Sequence, residues 1–164
     1  MRSRVIPTIV ALTGVAALVA CGSDSATTVD TTAAVTYTSQ LSAANEKPNA
    51  NASTATGTAT YTLRGNSLSF IVTASGLTGP ATLSHIHVGS AAVAGPIVVP
   101  FVTGSVQSGN VAAGTIDLST SVSNGTTTIT GDSLKVLLNN GNAYTNVHTA
   151  ANPGGEIRGQ IVKQ

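Results

Sequence analysis

The chain has 164 residues, a formal net charge of +1, 8% charged and 41% hydrophobic residues, no tryptophan and one cysteine. So little net charge, with no basic stripe, excludes a nucleic-acid binder, and a single thiol excludes an internal disulfide. The polar quota is met by threonine, serine and asparagine, a composition that favours pleated strands over helices and argues against disorder.

Arg2 and Arg4 precede an almost wholly apolar run from Val5 to Ala20. This run is shorter and more diluted by small residues than a membrane span of about 20 residues, and residues 1–20 read as a secretory signal peptide. It ends in "LVAC", Leu18 to Cys21. That tetrapeptide resembles the bacterial lipobox, whose cysteine becomes the new N-terminus and carries acyl chains on its sulfur and amino group. Cys21 is the expected lipid-attachment residue; a buried or redox thiol is the weaker alternative at the end of a signal run. Two or more chains, at about 0.8 kcal/mol per buried methylene, would hold the protein on a membrane without spanning it. The expected location is the bacterial cell envelope, outside the cytoplasm. Residues 21–34 lack an apolar period and read as a flexible tether, which leaves one folded domain at 35–164.

Within that domain, period-two patterning dominates. In 57–63, Ala59, Tyr61 and Leu63 alternate with threonines; in 67–74, Leu68, Phe70, Val72 and Ala74 form the apolar set. Gly65-Asn66 between them predicts a tight hairpin with positive φ at both residues. Further strands are predicted at 36–42, 83–88, 97–102, 114–118, 144–149 and 156–162, separated by Gly, Pro and Asn clusters. "GDSLKVLLNNGNA" (131–143) instead spaces Leu134, Leu137 and Leu138 as a short helix, with Asp132 or Ser133 as cap and Gly141 as stop. Seven to nine short strands and one short helix predict an all-β fold, an antiparallel β-sandwich or Greek-key barrel, with a thin core of small side chains.

Two of the three histidines lie in "SHIHV" (84–88). Ile86 and Val88 should turn to the core, which puts His85 and His87 together on the opposite face, about 7 Å apart along the strand. In "YTNVHTAANPGGEIRGQIV" (144–162), Pro153, Gly154 and Gly155 reverse the chain. Val147 should then share the core face with Ile157, Gly159 and Ile161, leaving Asn146 and His148 on the polar face with Glu156, Arg158 and Gln160. If the two segments are neighbours, His85, His87 and His148 form a three-nitrogen site suited to zinc or copper, with Glu156 as fourth ligand or supporting partner and Arg158 and Asn146 beside it. The alternative is a hydrogen-bonded or solvated polar face with a Glu156–Arg158 surface pair worth about 0–1 kcal/mol. Asn146 reads first as a strand hydrogen-bonding residue, and Gly89, Gly95 and Pro96 as loop punctuation.

"LSAANEKPNANASTATGTATYTL", "GLTGPATLSHIHVGSAAVAGPIVVPF" and "YTNVHTAANPGGEIRGQI" resemble, in order and spacing, three blocks of the CHRD domain, a family named after the vertebrate regulator chordin. The resemblance spans about residues 36–162. It implies an extracellular or periplasmic β-sandwich, with His85, His87, Gly95, Pro96, His148, Gly155, Glu156, Arg158 and Gly159 on signature positions. Lys47-Pro48-Asn49 departs from the family's more apolar first block. The resemblance implies little about activity. A looser likeness to copper/zinc superoxide dismutase rests on the strand-borne His-x-His, but only His148 remains for that enzyme's other imidazoles. The expected function is therefore a non-enzymatic binding domain whose exposed His/Arg face takes a metal ion, a partner protein or a cell-surface polymer, with metal-dependent redox chemistry as the rival.

Overall fold

The computed structural model describes residues 33–164. The expected signal peptide, the expected lipid-attachment residue Cys21 and all but the end of the expected tether lie outside these residues. Among them, no helix is long and apolar enough to cross a membrane.

Ten strands and one α-helix make up the domain: β1 (Val35–Ser42), β2 (Thr56–Arg64), β3 (Ser67–Ser75), β4 (Ala81–Val88), β5 (Ile97–Pro100), β6 (Gly109–Asp117), β7 (Ser121–Ser123), β8 (Thr128–Thr130), α1 (Gly131–Asn139), β9 (Ala143–Thr149) and β10 (Ile157–Lys163). Eight strands form one antiparallel sheet in the order β5-β4-β9-β10-β1-β2-β3-β6, and β7 and β8 pair separately. The first strand is thus central, hydrogen-bonded to β2 on one side and to the last strand on the other. Curling brings β4 against β6 and β5 against β7, so the sheet wraps around one core. The all-β expectation holds. β7 and β8 escape the sequence because three residues are too few to display a period.

Alternation predicts the first hairpin's faces correctly: Ala59, Tyr61, Leu63, Leu68, Phe70, Val72 and Ala74 are all buried. Its turn is different from the expectation. Gly65 has φ of 55°, while among the described residues none other than glycine has positive φ, so the turn resembles a type II′ loop with glycine first. The outer face of β2 and β3 is solvated: Thr58 and Thr73 share a hydrogen bond there at 2.9 Å, and Ile71 is 52% exposed.

The core is not uniformly small. All three tyrosines and both phenylalanines are buried, and Phe70 stacks on Phe101 with ring centroids 4.1 Å apart. Tyr61 shares a 2.7 Å hydrogen bond with Thr145, which gives its hydroxyl a partner inside the core. Helix α1 packs Leu134 and Leu138 inward. Its cap is Thr130, whose side chain accepts from the Ser133 N–H, rather than Asp132 or Ser133. Gly141, at φ of 67°, follows the helix as expected.

Candidate metal centre and its covered face

β9 lies between β4 and β10, so it joins the two histidine-bearing segments directly. Its register sets Leu83 opposite His148, His85 opposite Asn146 and His87 opposite Tyr144. On the other side, Val147 pairs with Ile157, Asn146 with Arg158 and Tyr144 with Gln160. Because paired residues of antiparallel strands share a face, His85, His87, Tyr144, Asn146, His148, Arg158 and Gln160 project together, away from Ile86, Val147, Ile157 and Ile161. This is the parity read from the sequence.

The expected exposure of that face is overturned. His85 is 5% exposed, His148 7% and Arg158 2%, and Asn146 and Glu156 are buried as well. Two segments without hydrophobic period lie over the strands. The first is the 3-10 turn Ala43–Asn45 with the loop after it: Asn45 Nδ2 donates to the Arg158 carbonyl, Asn146 Nδ2 donates to Glu46 Oε1 at 2.7 Å, and Asn51 Nδ2 donates to the carbonyls of Gly155 and Glu156. The second is the 89–96 turn, where Ser90 accepts from Arg158 and Gly89 accepts from Gln160. Glycine is required beneath this cover. At Gly155, φ +132°, a Cβ would lie 2.5 Å from Asn146 Nδ2 and 2.6 Å from Glu46 Oε2.

The three imidazoles converge. One ring nitrogen of each lies within 4.8 Å of the others, and His85 Nδ1 is 3.2 Å from His148 Nε2. Two rings are fixed by backbone carbonyls: His148 Nδ1 is 2.9 Å from the Pro153 oxygen, and His87 Nδ1 is 2.9 Å from the Gly95 oxygen. A carbonyl only accepts, so each Nδ1 carries the proton and each Nε2 presents a lone pair. Carbonyl-oriented imidazoles of this kind are the usual support of a metal ligand. Gly95 is therefore more than punctuation. Its carbonyl sets the His87 tautomer, and a Cβ there would lie 1.7 Å from the Val88 oxygen.

Burial, with the neighbouring imidazoles His148 and His87 adding to it, pushes His85 down to about 4. Burial likewise lowers His87 to about 4, against the raising effect of its bond to Gly95, and it lowers His148 against the bond to Pro153. All three are neutral at pH 7, the state that binds metal. Three nitrogens on one ion sit about 3.3 Å apart at bond lengths of about 2.0–2.1 Å. The His85–His148 separation already matches this, so the remaining closure falls to His87.

Among the described residues, three buried side-chain atoms lack a hydrogen-bond partner: His87 Nε2, Asn146 Oδ1 and Gln160 Oε1. All three belong to this one face. Buried polar atoms are otherwise almost always paired, and unpaired ones call for a physical reason, such as strain, a water or a bound ion.

Glu156 does not join the imidazoles. Its Oε1 accepts from Ser53 Oγ at 2.7 Å and the Thr78 N–H at 2.8 Å, and its Oε2 accepts from Thr78 Oγ1 at 2.8 Å and Thr149 Oγ1 at 2.6 Å. Burial pushes this carboxyl up, but the four donors together outweigh it and hold the carboxyl below its ordinary value. Nor do Glu156 and Arg158 form a surface pair. The ion pair found among the described residues is Lys135–Asp132. Arg158 instead places its guanidinium carbon 3.4 Å from the centre of the Tyr144 ring, on which His87 also stacks at 4.7 Å.

Sequence reasoning passed over Glu46 and Tyr144. Burial raises the Glu46 carboxyl to about 7, with Arg158 and the Asn146 hydrogen bond opposing the rise. Four acids stand between residues 33 and 164, and a lone acid in a segment without period was the available signal. No curated protein and no solved structure matches the chain. The CHRD domain matches residues 37–161, from the second residue past the start of β1 to within β10. With most of its length matched, including every strand of the histidine face, the chain belongs to the CHRD domain family.

Proposed function

We propose that the protein is a non-enzymatic, lipid-anchored CHRD domain of the bacterial cell envelope whose His85, His87 and His148 hold one transition-metal ion, zinc or copper. The observation that carries this reading is the unpartnered, buried Nε2 of His87 beside a His85–His148 pair at 3.2 Å, with two of the three rings locked by carbonyls. Asn146, opposite His85 and with a free Oδ1, is the supporting residue nearest the three rings in register.

Metal analysis and titration of the purified chain test it. One equivalent of Zn²⁺ or Cu²⁺ should bind, and His148→Ala or His87→Ala should weaken it by about 100-fold or more, because two imidazoles make an incomplete site. Sub-stoichiometric uptake of both metals by the parent protein would end the reading. An all-nitrogen, buried donor set also suits copper redox chemistry. Superoxide or peroxide turnover by the copper-loaded chain, absent in His148→Ala, would replace the non-enzymatic reading with that one.

The anchor is tested separately. Cys21→Ser should leave an uncut precursor or release the protein into the soluble extracytoplasmic fraction. A processed form that stays on the membrane would contradict lipidation.

A further inference from the structure

Next to the imidazoles, but not made by them, is a second feature of the covered face. A cavity of about 240 Å³ is lined by Asn45 and Lys47 of the first covering segment, Ala91 of the second, and Arg158 and Gln160 of β10. Two of the five lining residues are cations and none is an anion. Arg158 is buried, yet its side chain makes one hydrogen bond, to the Ser90 carbonyl, and its charge otherwise meets the face of Tyr144. Lys47 reaches only the carbonyl of its neighbour Glu46, at 3.4 Å. The ion pair among the described residues, Lys135–Asp132, involves neither of them.

The Glu46 carboxyl is near enough for Arg158 and Lys47 to lower it, yet it makes no ion pair with either; a buried guanidinium without a direct carboxylate contact is costly, and stacking on a ring recovers only part of the lost hydration. Its five N–H groups form a planar fork that fits the two oxygens of a carboxylate. The Gln160 Nε2 donates to both Gly89 and Gly141 carbonyls at 2.7 Å, which fixes the amide's orientation and leaves Oε1 as an unpartnered acceptor. That oxygen is buried, so the exposed Asn45 amide, beside two cations on the cavity wall, is the group that suits a ligand carrying a hydroxyl as well as a negative charge.

We propose that this cavity binds the carboxylate of a small hydroxylated acid, of the size of one sugar ring. Arg158 and Lys47 take the carboxylate, and Asn45 takes a neighbouring hydroxyl. The same chemistry is offered by a free sugar acid and by a uronate unit of an acidic polysaccharide. The site uses none of the three imidazoles and stands whether or not they hold metal.

The test is calorimetric titration of the metal-free chain with galacturonate, tri-galacturonate, galactose and inorganic phosphate. Saturable binding of galacturonate is expected, weakening as salt is raised, with no heat from galactose. Lys47→Ala, at a half-buried loop position that leaves the sheet intact, should weaken galacturonate by about fivefold or more, and Arg158→Lys, which keeps the charge but loses the fork, by about tenfold. Tighter binding of tri-galacturonate than of the monomer identifies a polymer as the source, and equal binding identifies the free acid. Galactose binding as well as galacturonate, phosphate binding in its place, or unchanged affinity in Lys47→Ala would each overturn the proposal.

Discussion

Glu156→Ala should lower the unfolding free energy by about 3–5 kcal/mol, a large share of the 5–15 kcal/mol available to a typical domain. Glu156 is fully buried and is the single acceptor on which four donors converge from three separate places: Ser53 in the loop before β2, Thr78 in the β3–β4 turn, and Thr149 at the end of β9. Removing it leaves a backbone N–H and three hydroxyls without their partner, and each unsatisfied group costs about 1–3 kcal/mol before any rearrangement. Glu156→Gln should cost less, about 1–2 kcal/mol. Its amide oxygen can stay with the fixed Thr78 N–H, while the threonine hydroxyls turn to accept from the new NH₂ group. Urea midpoints at constant slope measure both. Should alanine cost less than glutamine, or should both lie within about 0.5 kcal/mol of the parent, the convergence of donors would not be what ties the three segments together.

Acidification of the metal-free protein should destabilise it, and Glu46→Gln should make the loss steeper. His85 and His87 titrate near 4 when folded and near 6.5 when unfolded. Their contribution is complete above pH 6.5 and is lost as pH falls toward 4, because the unfolded chain takes up the protons first. His148, also lowered, acts in the same sense. Glu46 does the opposite: raised from 4.5 to about 7, it keeps its proton in the folded state through that interval, so its contribution grows as pH falls from 7 to 4.5. At about 1.4 kcal/mol per unit, two histidines outweigh one glutamate, and the net loss between pH 7 and 4 is on the order of 3 kcal/mol. Glutamine at position 46 abolishes the opposing titration and should raise the loss to about 5 kcal/mol or more. Denaturant midpoints at pH 7.5, 6, 5 and 4 decide it. Stability that rises on acidification, or a Glu46→Gln variant with the parent's pH profile, would show that these groups are not buried as described.

What could be read from the sequence was parity. Ile86 between two histidines, and Val147 with Ile157 and Ile161 across a reversal, are enough to assign sides, and the register His85–Asn146–Arg158 follows that assignment. Adjacency of β4 and β9 could be posed only as a condition, since the sheet order depends on pairings between segments far apart in sequence. Burial of the second face was out of reach for a sharper reason. Its cover consists of Ala43–Asn45, the following loop and the 89–96 turn, which hold on through Asn45, Glu46, Asn51, Ser90 and Gly95 rather than through an apolar stripe. Polar residues in loops look the same in sequence whether they face water or a buried strand. The same blindness placed Glu156 with the histidines, when its oxygens are committed to Ser53, Thr78 and Thr149.

The central position of β1 has a geometric consequence for the proposed anchor. Tyr37, near its start, pairs with Lys163, whereas Ser42, at its end, pairs with Arg158 on the level of His85 and Asn146. Seven residue steps of strand separate Val35 from Ser42, about 23 Å. On the proposed anchoring through Cys21, a leash entering at Val35 would join the domain at the far end of β1 from Ser42, and the imidazoles would face the surrounding medium rather than the lipid surface.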